Sequence, residues 1–180
     1  MNSGDEDDRR ARRVRLARAL LAYVLVPAWV VPSLADWAFH RRTHIERNAG
    51  AAESLTHVAM ALEAGAGIVA GTVLELDAGT VCVMALAALV HEATAVFDVA
   101  YARPRRLVAQ AEQHVHSFLE VLPFVNALLG AFAHGARAPR FALRVRRDVP
   151  AAMLLVCGAS SVLGIAPYVE ELIRCLRARR

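Results

Sequence analysis

The sequence predicts an all-α fold, a multi-pass transmembrane helical bundle of four to five spans. Three observations lead to it. Hydrophobic residues make up 57% of the chain and the mean hydropathy is +0.38, high for a soluble globule. Five apolar runs follow one another, most of them near the ~20 residues that a membrane helix needs. Charges collect in tails and loops, except for a set of His, Asp and Glu at the ends of the runs.

The 180 residues have room for one domain. It divides into a charged arm at 1–18, a transmembrane helical domain at 19–173 and an Arg-rich tail at 174–180. The arm opens acidic (GDEDD) and turns basic (RRARRVRLAR), as expected of a disordered or interfacial segment. Residues 19–35 carry no charge and contain Tyr23, Trp29, Pro27 and Pro32; the apolar character continues to Phe39. Proline is tolerated in membrane helices. A basic start, an apolar run and Ser33-Leu34-Ala35 also fit a cleaved signal. An uncleaved helix is the preferred reading, because Asp36, His40 and His44 continue at a spacing of four.

The second run covers 54–74 and holds Glu63 and a Gly67-xxx-Gly71 pair, small residues that let membrane helices approach closely. Residues 75–79 form a turn. The third run, 80–101, carries His91, Glu92 and Asp98, and ends at Arg103-Pro104-Arg105-Arg106. The fourth runs from 112 to 133 with Pro123 inside. An Arg-rich loop follows at 135–148. The fifth, 149–169, has no charge, and the stretch from Pro167 reads as an amphipathic helix lying on the headgroups.

All 21 basic residues are Arg, which fits GC-rich coding and a bacterial inner membrane. Their placement in tails and loops suits lipid phosphates and excludes a nucleic-acid stripe. They divide almost evenly between the two sides, so the positive-inside rule leaves orientation open. Oligomeric state is open too. Three cysteines make no disulfide framework; Cys82 and Cys157 read as inert core residues and Cys175 has no assigned role. Trp37 reads as an interfacial aromatic. There is no glycine-rich phosphate loop and no nucleophile elbow, and Ser54 beside His57 does not make a triad.

Antiparallel threading brings the polar clusters to one membrane face, since they lie at the end of runs one and three and the start of runs two and four. Helical spacing then forms stripes: Asp36, His40 and His44; Glu53 and His57; His91 and Asp98; Glu112, His116 and Glu120. Ionisable groups inside a membrane bundle are costly and face one another, water or a cofactor. Carboxylates and imidazoles from four helices form the donor set of a di-metal centre. The candidate ligands are Asp36, His40, His44, Glu53, His57, His91, Asp98, Glu112 and His116. His114 points off its stripe, and His134 borders the Arg-rich loop as a solvated residue. Glu46, Glu92 and Glu120 are set aside as partners of arginines, and Arg41, Arg42, Arg105 and Arg106 as lipid-phosphate or interface residues.

The segment His40-Arg41-Arg42-Thr43-His44 resembles the HxxxH box of the histidine-rich integral-membrane di-iron class, which includes fatty-acid hydroxylases and desaturases. The resemblance implies iron, with zinc or manganese as alternatives, a lipid-like substrate, an oxidation or desaturation step and an electron donor as partner. Three other readings stay open. His57 and His91 are placed to ligate a b-type haem in an electron carrier. The same groups suit a proton or ion pathway without metal. A structural membrane subunit is the fourth.

Overall fold

The computed structural model describes residues 3–135 and 141–179. The described residues form six α-helices: α1 (Ser3–Leu20), α2 (Val26–Arg42), α3 (Gly50–Val73), α4 (Ala78–Ala102), α5 (Gln110–His134) and α6 (Ala151–Ala178). A π-helical turn at Leu21–Leu25 joins α1 to α2 without a break. Its wide turn sits just before Pro27, which has no N–H to give and whose ring would crowd the preceding carbonyls. The N-terminal arm therefore continues the first span as helix. At the other end, residues 167–178 do not form a separate surface helix but complete α6.

Among the described residues, five segments are long and apolar enough to cross a membrane: Gly4–Arg42, Gly50–Val73, Ala78–Ala102, Gln110–His134 and Ala151–Ala178. Packing closes them into a ring in the order α2, α6, α3, α4, α5 and back to α2. Small residues point inward, among them Ala22, Ala61, Ala64, Ala70, Ala88 and Ala133. Large apolar ones point outward, including Val31, Leu62, Leu86, Phe118 and Leu155. Water would penalise that surface and hydrocarbon would not, so the pattern is that of an integral membrane protein. Cys157 is buried as expected, but Cys82 lies on the outer face.

At one face, Arg18 ties the first span to the α3–α4 turn by donating to the Leu74 carbonyl at 3.0 Å. Residues 141–148 lie along the same turn. Arg146 N–H donates to Val73 and Glu75 N–H to the Arg144 carbonyl, each at 2.8 Å. The first part of the expected 135–148 loop, at 136–140, lies outside the described residues. Asp77 caps α4 by accepting from Thr80 N–H at 3.1 Å.

The opposite face carries the loops at 43–49 and 103–109 and the end of α6. His44 takes a left-handed conformation (φ 53°) and ends α2. There Arg174 of α6 pairs with Glu46. Partial burial would raise the Glu46 carboxyl, but its own backbone N–H, Arg174 and His44 outweigh that and hold it below the ordinary 4.5. A depressed carboxylate stabilises the fold above its unfolded pKa and stops doing so as pH falls through its folded one. Glu46→Gln is expected to melt up to about 1 kcal/mol easier than wild type at neutral pH. The gap should close on acidification below the carboxylate range. Parallel melting curves at all pH values would refute this.

Candidate metal centre

The alternating helices do bring the polar ends to one level. Asp36 and His40 on α2, Glu53 and His57 on α3, Asp98 on α4, and Glu112 and His116 on α5 all meet in the interior, each buried. Helical periodicity explains the paired placements, since residues four apart share a face. Proximity sorts them into overlapping groups whose candidate donor atoms lie within 4.8 Å of one another. The first cage is Asp36, His40, Glu112 and His116, and the second is Glu53, His57 and Asp98.

Glu171 of α6 joins the two. One carboxylate oxygen sits 2.8 Å from His40 Nδ1 and the other 2.8 Å from His57 Nδ1. The two imidazoles are thereby held nearly parallel, with centroids 4.4 Å apart and planes 11° from each other. Their Nε2 atoms then point to different carboxylates. His40 Nε2 faces Asp36 and Glu112, both at 3.4 Å. His57 Nε2 faces Asp98 at 3.4 Å and Glu53 at 4.0 Å. Among the described residues neither Nε2 has a hydrogen-bond partner, although both are buried. An imidazole fixed through Nδ1 by a carboxylate, with Nε2 open toward more carboxylates, has the form of a metal ligand.

The surrounding groups orient the acids. His116 Nε2 lies 2.8 Å from Asp36 Oδ1, and Tyr168 donates its hydroxyl to Asp36 Oδ2 at 3.2 Å. Thr56 donates to Asp98. Arg106 donates to Glu53 at 2.7 Å and to Glu112 at 2.5 Å. Five buried carboxylates (Asp36, Glu53, Asp98, Glu112 and Glu171) thus face one buried guanidinium. With neutral imidazoles and Arg106 in place, four formal negative charges remain. Such an excess is untenable in a membrane interior without cations or protons.

Two candidate ligands lie elsewhere. His44 is mostly exposed, with Nδ1 at 3.4 Å from Glu46; its left-handed backbone takes it off the Asp36–His40 stripe. His91 belongs to neither cage. It sits two turns deeper than Asp98 on α4, with Nδ1 at 3.1 Å from the Met60 carbonyl. It lines a cavity of about 40 Å³ that reaches Asp36, His57, Asp98 and His116 on one side and Trp29 and Leu119 on the other. Glu120 borders this cavity too. His114 is exposed, as expected.

Three site residues escaped the sequence reading: Glu171, Tyr168 and Arg106. Glu171 and Tyr168 had a signal. Cys157, Ser160, Gly164, Tyr168, Glu171 and Cys175 recur at steps of three and four and are all buried on α6. Extending that period past Pro167 would have carried the helix, and Glu171, into the core. Arg106 stands in an arginine cluster that reads as interfacial, yet its side chain turns inward while Arg103 and Arg105 stay exposed.

No protein-family model matches the chain, and no curated protein or solved structure matches it.

Proposed function

We propose that the chain is a membrane-embedded metalloenzyme whose two metal ions, held by the paired cages, act on a lipid-like substrate. The observation that carries this reading is Glu171: it occupies the Nδ1 atoms of His40 and His57 and leaves both buried Nε2 atoms open toward separate carboxylate sets. Iron is the metal that the His40–His44 resemblance implies, although only His40 of that box reaches the centre; manganese and zinc suit the same oxygen and nitrogen donors. When bound, such ions supply Lewis acidity or, for iron and manganese, electrons for oxygen chemistry.

The chain's own residues supply the rest. Glu171 fixes two ring orientations at once. Tyr168 and His116 hold the two oxygens of Asp36. The cavity beside the centre is polar along the ligand wall and apolar along Trp29, Met60 and Leu119. Its ~40 Å³ accepts a water-sized or dioxygen-sized molecule next to the metal positions. A longer apolar substrate would present only its reacting segment there, and apolar walls would keep bulk water from that point. The carboxylates at His57 Nε2 favour a cation over a haem iron at this position.

Metal analysis with an absorption spectrum on freshly purified detergent-solubilised protein tests the reading. Near-stoichiometric iron, manganese or zinc is expected in wild type and in His91→Ala, and loss of metal in His57→Ala. A metal-free wild type without a Soret band, matched by a folded His57→Ala, would sink the metalloenzyme and leave a proton pathway or a structural subunit. A Soret band lost in both variants would instead establish the haem carrier.

A further inference from the structure

Arg106 occupies an unusual place, and the inference drawn from it rests on the metal-centre reading above. It belongs to the short α4–α5 loop, yet its side chain is 1% exposed. Its guanidinium donates to Glu53 Oε1 at 2.7 Å through Nε and to Glu112 Oε1 at 2.5 Å through Nη1. Glu53 belongs to the second cage and Glu112 to the first. One side chain from the surface loop therefore ties together a ligand from each cage. Burial would lower its pKa, but Glu53 and Glu112 more than offset this and keep it charged.

The loop around it faces solvent at Arg103, Pro104, Arg105 and Leu107. Arg106 N–H closes on the Ala102 carbonyl at 3.0 Å, one last turn of α4. Leu107, next in sequence, is 85% exposed. Arg105 lies outside, stacked on Tyr101 with its guanidinium carbon 3.7 Å from the ring centroid.

We propose that Arg106 is a displaceable counter-cation that stands in for the second metal ion, and that filling both cages requires it to leave Glu53 and Glu112 for the aqueous face. A guanidinium and a divalent ion cannot share these carboxylate oxygens at contact distance, because two like charges a few ångströms apart in a poorly screened site repel strongly. With Arg106 in place the first cage keeps Asp36, His40 and His116. The second keeps only His57, Asp98 and the free oxygen of Glu53. Each cage thus lacks one carboxylate oxygen while Arg106 is in place, and the ion that completes the pair competes with Arg106.

Titration of the purified full chain with Mn²⁺, read by bound-metal analysis and electron paramagnetic resonance, tests this. Wild type is expected to bind in two phases. In Arg106→Gln the second phase should tighten by about tenfold or more, as loss of a competing buried charge requires, with the first changing far less. Arg106→Lys, which keeps the charge, should stay close to wild type in the second phase. Weaker binding of both ions in Arg106→Gln would overturn the proposal and make Arg106 a permanent brace of the loaded centre. Absence of Mn²⁺ binding in wild type and both variants would instead defeat the metal reading itself. A second measurement needs no variant: trypsin cleavage after Arg105 or Arg106 should accelerate at Mn²⁺ concentrations that fill the second phase. An unchanged or slower rate there, with both ions bound, would also overturn the proposal.

Discussion

Glu171→Ala is expected to empty both metal positions and to destabilise the bundle by about 3–5 kcal/mol, the range for removing one partner from a buried charged network. The side chain is fully enclosed, and each of its oxygens serves a different imidazole. Without it, His40 and His57 each lose the contact that sets their ring orientation, and two buried Nδ1 atoms are left without a partner. Glu171→Gln separates orientation from charge. An amide offers a single acceptor oxygen, so it can satisfy one of the two histidines and should retain about one ion. The neighbouring Glu170→Ala is the control. It loses a 2.7 Å bond from Trp37 Nε1 at the surface and should cost about 1 kcal/mol with full metal retention. Metal content and melting temperature in detergent read all three variants. A Glu171→Ala protein with wild-type metal and wild-type melting would remove the central role given to this residue.

Leucine at Gly71 or Gly164 should each cost about 1–3 kcal/mol by overpacking, while leucine at Gly65 or Gly158 should be neutral or slightly stabilising. All four glycines are helical, so propensity alone would favour every substitution by about 0.5–1 kcal/mol. Surroundings decide the sign. A Cβ on Gly71 would stand 2.6 Å from Leu21 Cδ1 and 3.1 Å from Met84 Cε. On Gly164 it would stand 2.8 Å from the Trp29 ring. A Cβ on Gly65 or Gly158 would meet nothing within 4 Å among the described residues. The Gly71→Leu/Gly164→Leu double variant should elute as a broad or aggregated species in size-exclusion chromatography. The Gly65→Leu/Gly158→Leu pair should elute as wild type does. Equal behaviour of the two pairs would contradict the packing described. Gly164→Leu should also disturb metal-site ligand access, because Trp29 walls the cavity beside the centre.

The fold was legible in the sequence because a membrane leaves few alternatives. Long apolar runs must be helices when no water is available to backbone groups, and short polar breaks make consecutive helices antiparallel. The level of the site followed from the same argument. Once Asp36–His40 and Asp98 lie at the ends of their spans, and Glu53–His57 and Glu112–His116 at the starts, alternation places them together. Gly67-xxx-Gly71 gave the close approach at Gly71, where the α3 backbone meets Leu21 and Met84. Period four also assigned Asp36 to His40, Glu53 to His57 and Glu112 to His116 correctly, since each pair lies within a single regular helix.

Where periodicity crossed a helix end, it misled. His44 continues the arithmetic of Asp36 and His40 but lies beyond the last turn of α2, in a left-handed residue that no spacing rule registers. His91 shares a face with Asp98 yet lies two turns deeper, at the level of the cavity. For Glu171 the error ran the other way: charges after Pro167 looked like the start of a surface helix, while α6 runs on to Ala178.

Already legible in the chain are the all-α membrane bundle, the shared face of four polar helix ends and seven of the buried His, Asp and Glu side chains of the candidate centre. These depend on hydropathy and on periods within single helices, which are local properties of the chain. Tertiary packing adds Glu171 from a fifth helix, turns Arg106 inward from an arginine-rich loop and splits the donors into two groups. Those features arise where side chains from separate helices meet, and the electrostatic cost of an unpaired buried charge, not the spacing along any one helix, determines which partners they find.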